Sequence, residues 1–366
     1  MHVMKMCQAF VQEGSAVKLI GRKPPGDSRL DGSFWQHYGI HDQFPLKRLP
    51  AYKLLRDYDY DLRATSTVLR TRPKVVYARN LRAAAATSLL GYPLIFEAHA
   101  PPQTKSEHWF LRRVLSGKGF RLMVVISNRL KELMLEQTDG LVQPERITVL
   151  PDGVDFERFN DLPSSADARN WLGHPPERFT AGYVGHLYPG RGIELIVELA
   201  RRHPVIRFEV VGGDAISVAN RRNRHADLDN IEFRGFVENS EIPIRLAACD
   251  VLLMPFQKQV STTALGTGNT AEWMSPMKMF EYLASGRPIL SSDLSVLREV
   301  LTENNSFLLP PADVGAWSTT LTELEKKPTS GLARSSQARL DVQRYTWRGR
   351  ARSVCQALKE LGPSTH

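Results

Sequence analysis

Residues 179–200 read Phe-Thr-Ala-Gly-Tyr-Val-Gly-His-Leu-Tyr-Pro-Gly-Arg-Gly-Ile-Glu-Leu-Ile-Val-Glu-Leu-Ala. Phe179 to Val184 is a short strand-forming run, Gly185 to Gly192 is a glycine-rich turn, and Ile193, Ile196, Leu199 and Ala200 recur at helical spacing. A strand that enters such a turn and leaves as a helix is one step of a parallel βα fold. Glycines let backbone approach a phosphate, the first N–H groups of the helix point at it, and Arg191 can fork two hydrogen bonds to its oxygens. Plain structural βα turns look the same, so this stretch alone leaves both readings open.

Outward from it, β-branched runs alternate with helical stripes along the whole chain. The first half holds candidate strands at 17–20, 74–78, 94–97, 122–126 and 147–150, and the second at 179–184, 206–211, 231–233, 251–255, 289–291 and 307–309. The pattern predicts two Rossmann-like, doubly wound α/β domains, 1–155 and 156–345, joined after Pro151-Asp152-Gly153-Val154-Asp155. Residues 346–366 read as a terminal helix that packs back on the first domain. The Ser/Thr/Gly-rich run Ser261 to Thr270 reads as a mobile loop.

Composition agrees with a globular chain: 366 residues, 42% hydrophobic and 24% charged, with 25 Gly and 23 Pro scattered rather than repeated. Cys7, Cys249 and Cys355 lie too far apart for a disulfide framework or a metal-binding spacing, which fits the cytoplasm. Uninterrupted apolar runs are too short to span a membrane. The net charge of +9 is uneven: residues 1–150 hold 23 Lys/Arg against 13 Asp/Glu, and residues 151–366 hold 25 against 26. The excess suggests that the first half meets something anionic, although a solvated basic surface explains the charge equally well.

A second constellation runs from Glu272 to Pro288. Ser275 reads as the cap of a helix beginning at Pro276 and ending at Gly286 and Pro288, with Met277, Phe280 and Ala284 on its buried side. Lys278 and Glu281 then share a face near the helix start. A cation beside free backbone N–H groups suits a diphosphate, and a carboxylate one turn on can accept both hydroxyls of a ribose. An ordinary intrahelical ion pair is the other reading.

Taken together, these motifs resemble the retaining glycosyltransferases of family 4, which have the GT-B fold of two Rossmann domains facing a cleft. The marks are Gly185 to Gly192, Arg234-Gly235-Phe236-Val237, Ala248-Cys249-Asp250-Val251 with Pro255, Ser275 to Gly286 as S-P-x-K-x-F-E-Y-x-A-x-G, Ser292-Asp293 with Glu299, and Leu150 to Asp155. The resemblance implies that Arg191 and Lys278 bind the donor diphosphate within the turn of Gly185, His186, Gly190 and Gly192, while Glu281 holds the ribose. It further implies that Phe236 and Val237 border the base and that Ser275, Pro276 and Met277 lie along the donor sugar and phosphates. His99, which ends Ile95-Phe96-Glu97-Ala98, would meet the transferred sugar or the acceptor. Arg191, Lys278 and His99 are the expected catalytic residues.

The implied reaction moves a sugar, with retention, from a UDP- or GDP-sugar to a glycan or lipid-linked acceptor, with no resident cofactor and no metal. Domain closure would exclude water. The run Asp57-Tyr58-Asp59-Tyr60-Asp61 has the spacing of a metal pair but reads as a solvated helix face. Trp109, Phe110 and Leu111 with Arg112, Arg113, Lys118 and Arg121 read either as a patch resting on the anionic inner leaflet or as helix core. Two departures stand out. The family's first carboxylate falls on Trp273, with Glu272 one position off, so backbone N–H groups around Trp273 to Met277 are expected to hold the sugar. Met1 also opens directly in a helix where the family has a strand and glycine loop, and the expectation is that a first strand is missing and that about 10 to 20 upstream residues would restore it. Rival readings are a sugar-nucleotide epimerase of the same architecture, an impaired nucleotide-sugar-binding protein, and a nucleic-acid-binding protein. The last is disfavoured because the basic charge comes without a recognition motif.

Overall fold

The computed structural model describes residues 1–23, 32–52, 54 and 57–362. The chain divides into two compact units, Met1–Pro151 with Trp347–His366, and Asp152–Thr346. The division falls a few residues before 155 for a local reason. The Asp152 N–H donates to Ser275 Oγ at 3.0 Å and the Val154 N–H to the Tyr345 carbonyl at 2.9 Å, so this stretch is hydrogen-bonded into the second unit.

The first unit runs α1 (His2–Gln12), β1 (Leu19–Arg22), α2 (Gly32–His37), β2 (Leu46–Leu49), α3 (Tyr58–Thr71), β3 (Val76–Ala78), α4 (Leu81–Leu89), β4 (Leu94–Ala98), α5 (Lys105–Ser116), β5 (Phe120–Val125), α6 (Asn128–Thr138) and β6 (Ile147–Val149). Its strands are all parallel but form two sheets, β1-β2 and β3-β4-β5-β6. Strand β2 was not expected, because Leu-Lys-Arg-Leu carries two charges and no β-branched residue. Helix starts follow their side chains: Asn80 accepts from Ala83 N–H, Ser127 from Leu130 N–H, and Thr104 with Glu107 forms a reciprocal capping box.

Two expectations change here. Asp59 and Asp61 are buried rather than solvated: Asp59 Oδ1 accepts the Tyr52 N–H at 3.3 Å, and Asp61 Oδ2 lies 2.7 Å from Arg82 Nε. The two readings of 109–111 divide between residues. Leu111 is core, whereas Trp109 is 51% exposed with the Arg113 guanidinium 4.9 Å over its ring.

The second unit runs α7 (Ser165–Trp171), β7 (Thr180–Val184), α8 (Ile193–Arg202), β8 (Arg207–Val211), α9 (Ala215–Arg224), β9 (Ile231–Gly235), α10 (Ile242–Ala247), β10 (Val251–Met254), α11 (Met277–Ser285), β11 (Ile289–Ser292), β12 (Phe307–Leu309), α12 (Val314–Lys326) and α13 (Leu332–Asp341). Its six strands are parallel in the order β12-β11-β10-β7-β8-β9. The order reverses beside β7, so the crevice beyond the ends of β7 and β10 is where a doubly wound sheet binds ligands. Tyr183, Ile196, Leu199, Phe208 and Trp317 pack one core cluster, and Phe256, Phe280, Tyr282 and Leu283 another. Each such side chain contributes about 1.5–3 kcal/mol when fully buried.

Helix α14 (Trp347–Glu360) returns to the first unit, where Val354 packs with Ile95, Leu122 and Val124.

Candidate active site

The loop after β7, residues 185–192, touches the loop after β10. A Cβ on Gly192 would lie 1.9 Å from the Pro255 carbonyl oxygen and one on Gly190 1.8 Å from that of Gln259, and both glycines have φ near +81°. Only glycine allows this approach. The Gln257 N–H donates to the Gly190 carbonyl at 2.9 Å, and the Ser261 N–H to that of Pro189 at 3.0 Å.

Two cations come together behind this turn. Lys278, in the first turn of α11, holds Nζ 3.8 Å from the Tyr183 ring centroid and 4.6 Å from that of Phe256, and the Arg191 guanidinium lies 5.3 Å from the same Phe256 ring. Lys278 Nζ and Arg191 Nε are buried with no hydrogen-bond partner among the described residues, while Arg191 Nη2 donates to the Ser261 carbonyl at 3.4 Å. Burial, and then the Arg191 charge, hold the Lys278 ammonium well below the ordinary lysine range, with Glu281 opposing. Gly185 borders this ammonium, since a Cβ there would lie 3.4 Å from Nζ.

The surroundings are fixed by buried phenols. Tyr282 accepts the Val184 N–H at 2.7 Å, which ties α11 to the end of β7, and Tyr183 donates to the His186 carbonyl at 2.7 Å. The His186 ring stacks on Tyr188 with centroids 4.6 Å apart, and burial, Arg191 and Lys278 push its pKa down. Helix α11 starts after Pro276 with no side-chain cap among the described residues; the Met279 N–H donates to the Pro276 carbonyl at 2.9 Å, and the Met277 and Lys278 N–H groups at the helix start suit an anion.

Several sequence expectations shift. Ser275 is not the helix cap, because its Oγ accepts the Asp152 N–H. The buried side of α11 has Met279 where Met277 was expected. The Trp273 and Met274 N–H groups both donate to the Thr270 carbonyl, at 3.1 and 2.9 Å, so they are not available to hold a sugar. Segment 261–270 is tied by bonds such as Val260 N–H to Asn269 Oδ1 at 2.9 Å. Phe236 is 65% exposed after β9, with Val237 partly buried against the core. The aromatic seat of Tyr183, Phe256 and Tyr282 was missed, and its one signal was an aromatic residue at or just beyond the ends of β7 and β10.

In the first unit, His99 directly follows β4. Its Nε2 lies 3.0 Å from Oε1 of Glu97, which also faces His2 and Arg350.

Residues 178–327 match the family described as glycosyl transferases group 1, and residues 1–158 match glycosyltransferase family 4. The chain carries the two domains of a GT-B glycosyltransferase. A D-inositol 3-phosphate glycosyltransferase from Mycobacteroides abscessus is 24% identical over 264 residues, 67% of this chain and 56% of that protein. The chain spans about half the length or less of the first curated relatives it matches. Among solved structures, sucrose-phosphate synthase from Thermosynechococcus elongatus has a TM-score of 0.75 at 18% identity, covering 98% of this chain and 92% of that one. Anabaena HepE in complex with UDP-glucose has a TM-score of 0.73 at 16% identity, covering 98% and 96%. Among the described residues, no helix is long and apolar enough to cross a membrane.

Proposed function

We propose that this GT-B chain is a retaining transferase of the S-P-x-K subgroup that moves a sugar from a UDP- or GDP-sugar to a hydroxyl of a glycan or lipid-linked acceptor. One observation carries the reading: Arg191 and Lys278 flank a single Phe256 ring beside the switch point, each with a buried donor atom lacking a partner. Two cations so placed repel, and a diphosphate relieves both. As the glycosidic bond breaks, negative charge grows on the leaving diphosphate. Arg191, Lys278 and the start of α11 stabilise it in place, which is the largest contribution a protein makes to such a step.

Glu281 is assigned to the ribose and Phe236 with Val237 to the base. His186 and the turn glycines line the phosphates, Ser275, Pro276 and Met277 lie along the donor, and His99 meets the transferred sugar or acceptor hydroxyl. HepE, whose structure holds UDP-glucose, is consistent with a nucleotide-sugar donor. The free cysteines fit a cytoplasmic reaction, and exposed Trp109 with Arg112 and Arg113 fits docking on an anionic leaflet near a lipid-linked acceptor. Thermal shift against UDP, GDP and their sugars tests the donor site. One nucleotide stabilises the wild type, and Arg191→Ala removes the shift; no shift from any of them at millimolar concentration overturns the reading.

A further inference from the structure

Glu97 anchors a buried cluster of which the transfer reading gives a task to His99 alone. Glu97 lies in β4 and His99 in the bend that follows it, and their side chains meet. Three nitrogens crowd Glu97 Oε1: Arg350 Nη2 donates to it at 2.7 Å, and the ring nitrogens His99 Nε2 and His2 Nε2 lie 3.0 and 3.1 Å away, close but outside hydrogen-bond alignment. The carboxylate is 1% exposed. Burial pushes it up, but the Arg350 guanidinium and then the two imidazoles outweigh burial and hold it well below the usual carboxylate range.

Arg350 is buried too, and its other donors reach the Leu150 carbonyl at 3.1 Å and the Pro151 carbonyl at 2.9 Å. Those residues end the first unit's leading segment, and Arg350 lies in the helix that brings the chain back to it. His2, Glu97 and His99 have the donor types of a cation site. The guanidinium already neutralises the oxygen that a cation would need, so the cluster is an ion pair with two imidazoles beside it.

We propose that Glu97 is a positioning residue that fixes the His99 proton on Nε2, leaving Nδ1 as the ring's acceptor, and that Arg350 keeps Glu97 charged for this task. The opposite tautomer would bring a ring lone pair to 3.0 Å from a carboxylate oxygen, which is repulsive, whereas an N–H dipole there is attracted. The chemical use of His99 rests on the transferase reading, whereas its tautomer does not.

The test pairs two readouts. In protein labelled with 15N-histidine, long-range 15N–1H spectra assigned with His99→Ala report the tautomer. The wild type shows the Nε2–H form. Glu97→Leu/Arg350→Met, which replaces the buried ion pair by apolar groups without stranding a charge, loses that preference, and Glu97→Gln, which keeps an acceptor oxygen, restores most of it. UDP release from UDP-glucose should fall at least about tenfold in the double variant with the UDP thermal shift unchanged, and the same double change should add nothing in a His99→Ala background. An unchanged His99 tautomer in the double variant, or an equal rate loss with and without His99, overturns the proposal. If neither UDP, GDP nor their sugars bind the wild type, the transferase reading falls while the spectra still decide this one.

Discussion

Replacing Lys278 by methionine should strengthen the unliganded protein while weakening it as a nucleotide binder. The Lys278 ammonium is shielded from water, has no hydrogen-bond partner among the described residues and rests on Tyr183 and Phe256 at 3.8 and 4.6 Å. A buried donor left unsatisfied costs about 1–3 kcal/mol, more when charged, and the cation–π contacts return about 0.5–2 kcal/mol. Methionine has similar length, no donor, and a thioether that packs well against rings. The net gain is about 1 kcal/mol, which for a unit of this size raises the unliganded Tm by about 2–4 °C. Binding moves the other way. Loss of a charge-assisted hydrogen bond of about 1.5–3 kcal/mol lowers UDP affinity roughly 10- to 150-fold. Scanning calorimetry without nucleotide, with titration calorimetry against UDP, reads both signs. A variant that melts below the wild type and keeps its UDP affinity would refute the argument that this charge is held ready for an anion.

Because the folded Lys278 pKa is depressed, its charge is present below that value and lost as pH rises through it. UDP affinity should therefore fall as pH rises through that depressed value, by at most about tenfold per unit, and the Lys278→Met profile should be flat across the same range by isothermal titration. Gly192→Ala forces a Cβ to within 1.9 Å of the Pro255 oxygen at a φ of +81°; it should lower stability by more than about 1 kcal/mol in urea unfolding and abolish the UDP thermal shift. Trp109→Ala with Arg112→Ala and Arg113→Ala should lose co-sedimentation with anionic vesicles at low salt while Tm stays within a few degrees, and a wild type that does not sediment removes the membrane reading.

Much of the architecture was legible from sequence because parallel strands buried on both faces read as short apolar runs. Val251–Met254 and Ile289–Ser292 are fully buried and stand out from the helices around them. Strand Leu46–Leu49 did not, since two of its four residues are charged and its identity depends on pairing with Leu19–Arg22. That Arg191 and Lys278 come together was legible only through the family resemblance of their two motifs, since each motif alone left a plain structural reading open. Their aromatic seat was not, because Tyr183 and Phe256 meet Lys278 only once three separate segments pack together. Ser275 was misread for the same reason: its hydroxyl is claimed by Asp152, 123 residues away. Distance along the chain likewise hid the burial of Asp61, whose partner Arg82 belongs to the next helix.

The return of the last helix to the opening unit bears on how such chains recombine. A chimera that exchanges residues 1–151 alone would graft Glu97 without the guanidinium that Arg350 supplies from the opposite terminus, leaving an anion stranded in the interior. Homologous halves should shuffle productively only when the tail travels with the front, so a single arginine binds the two ends of the chain into one heritable lobe.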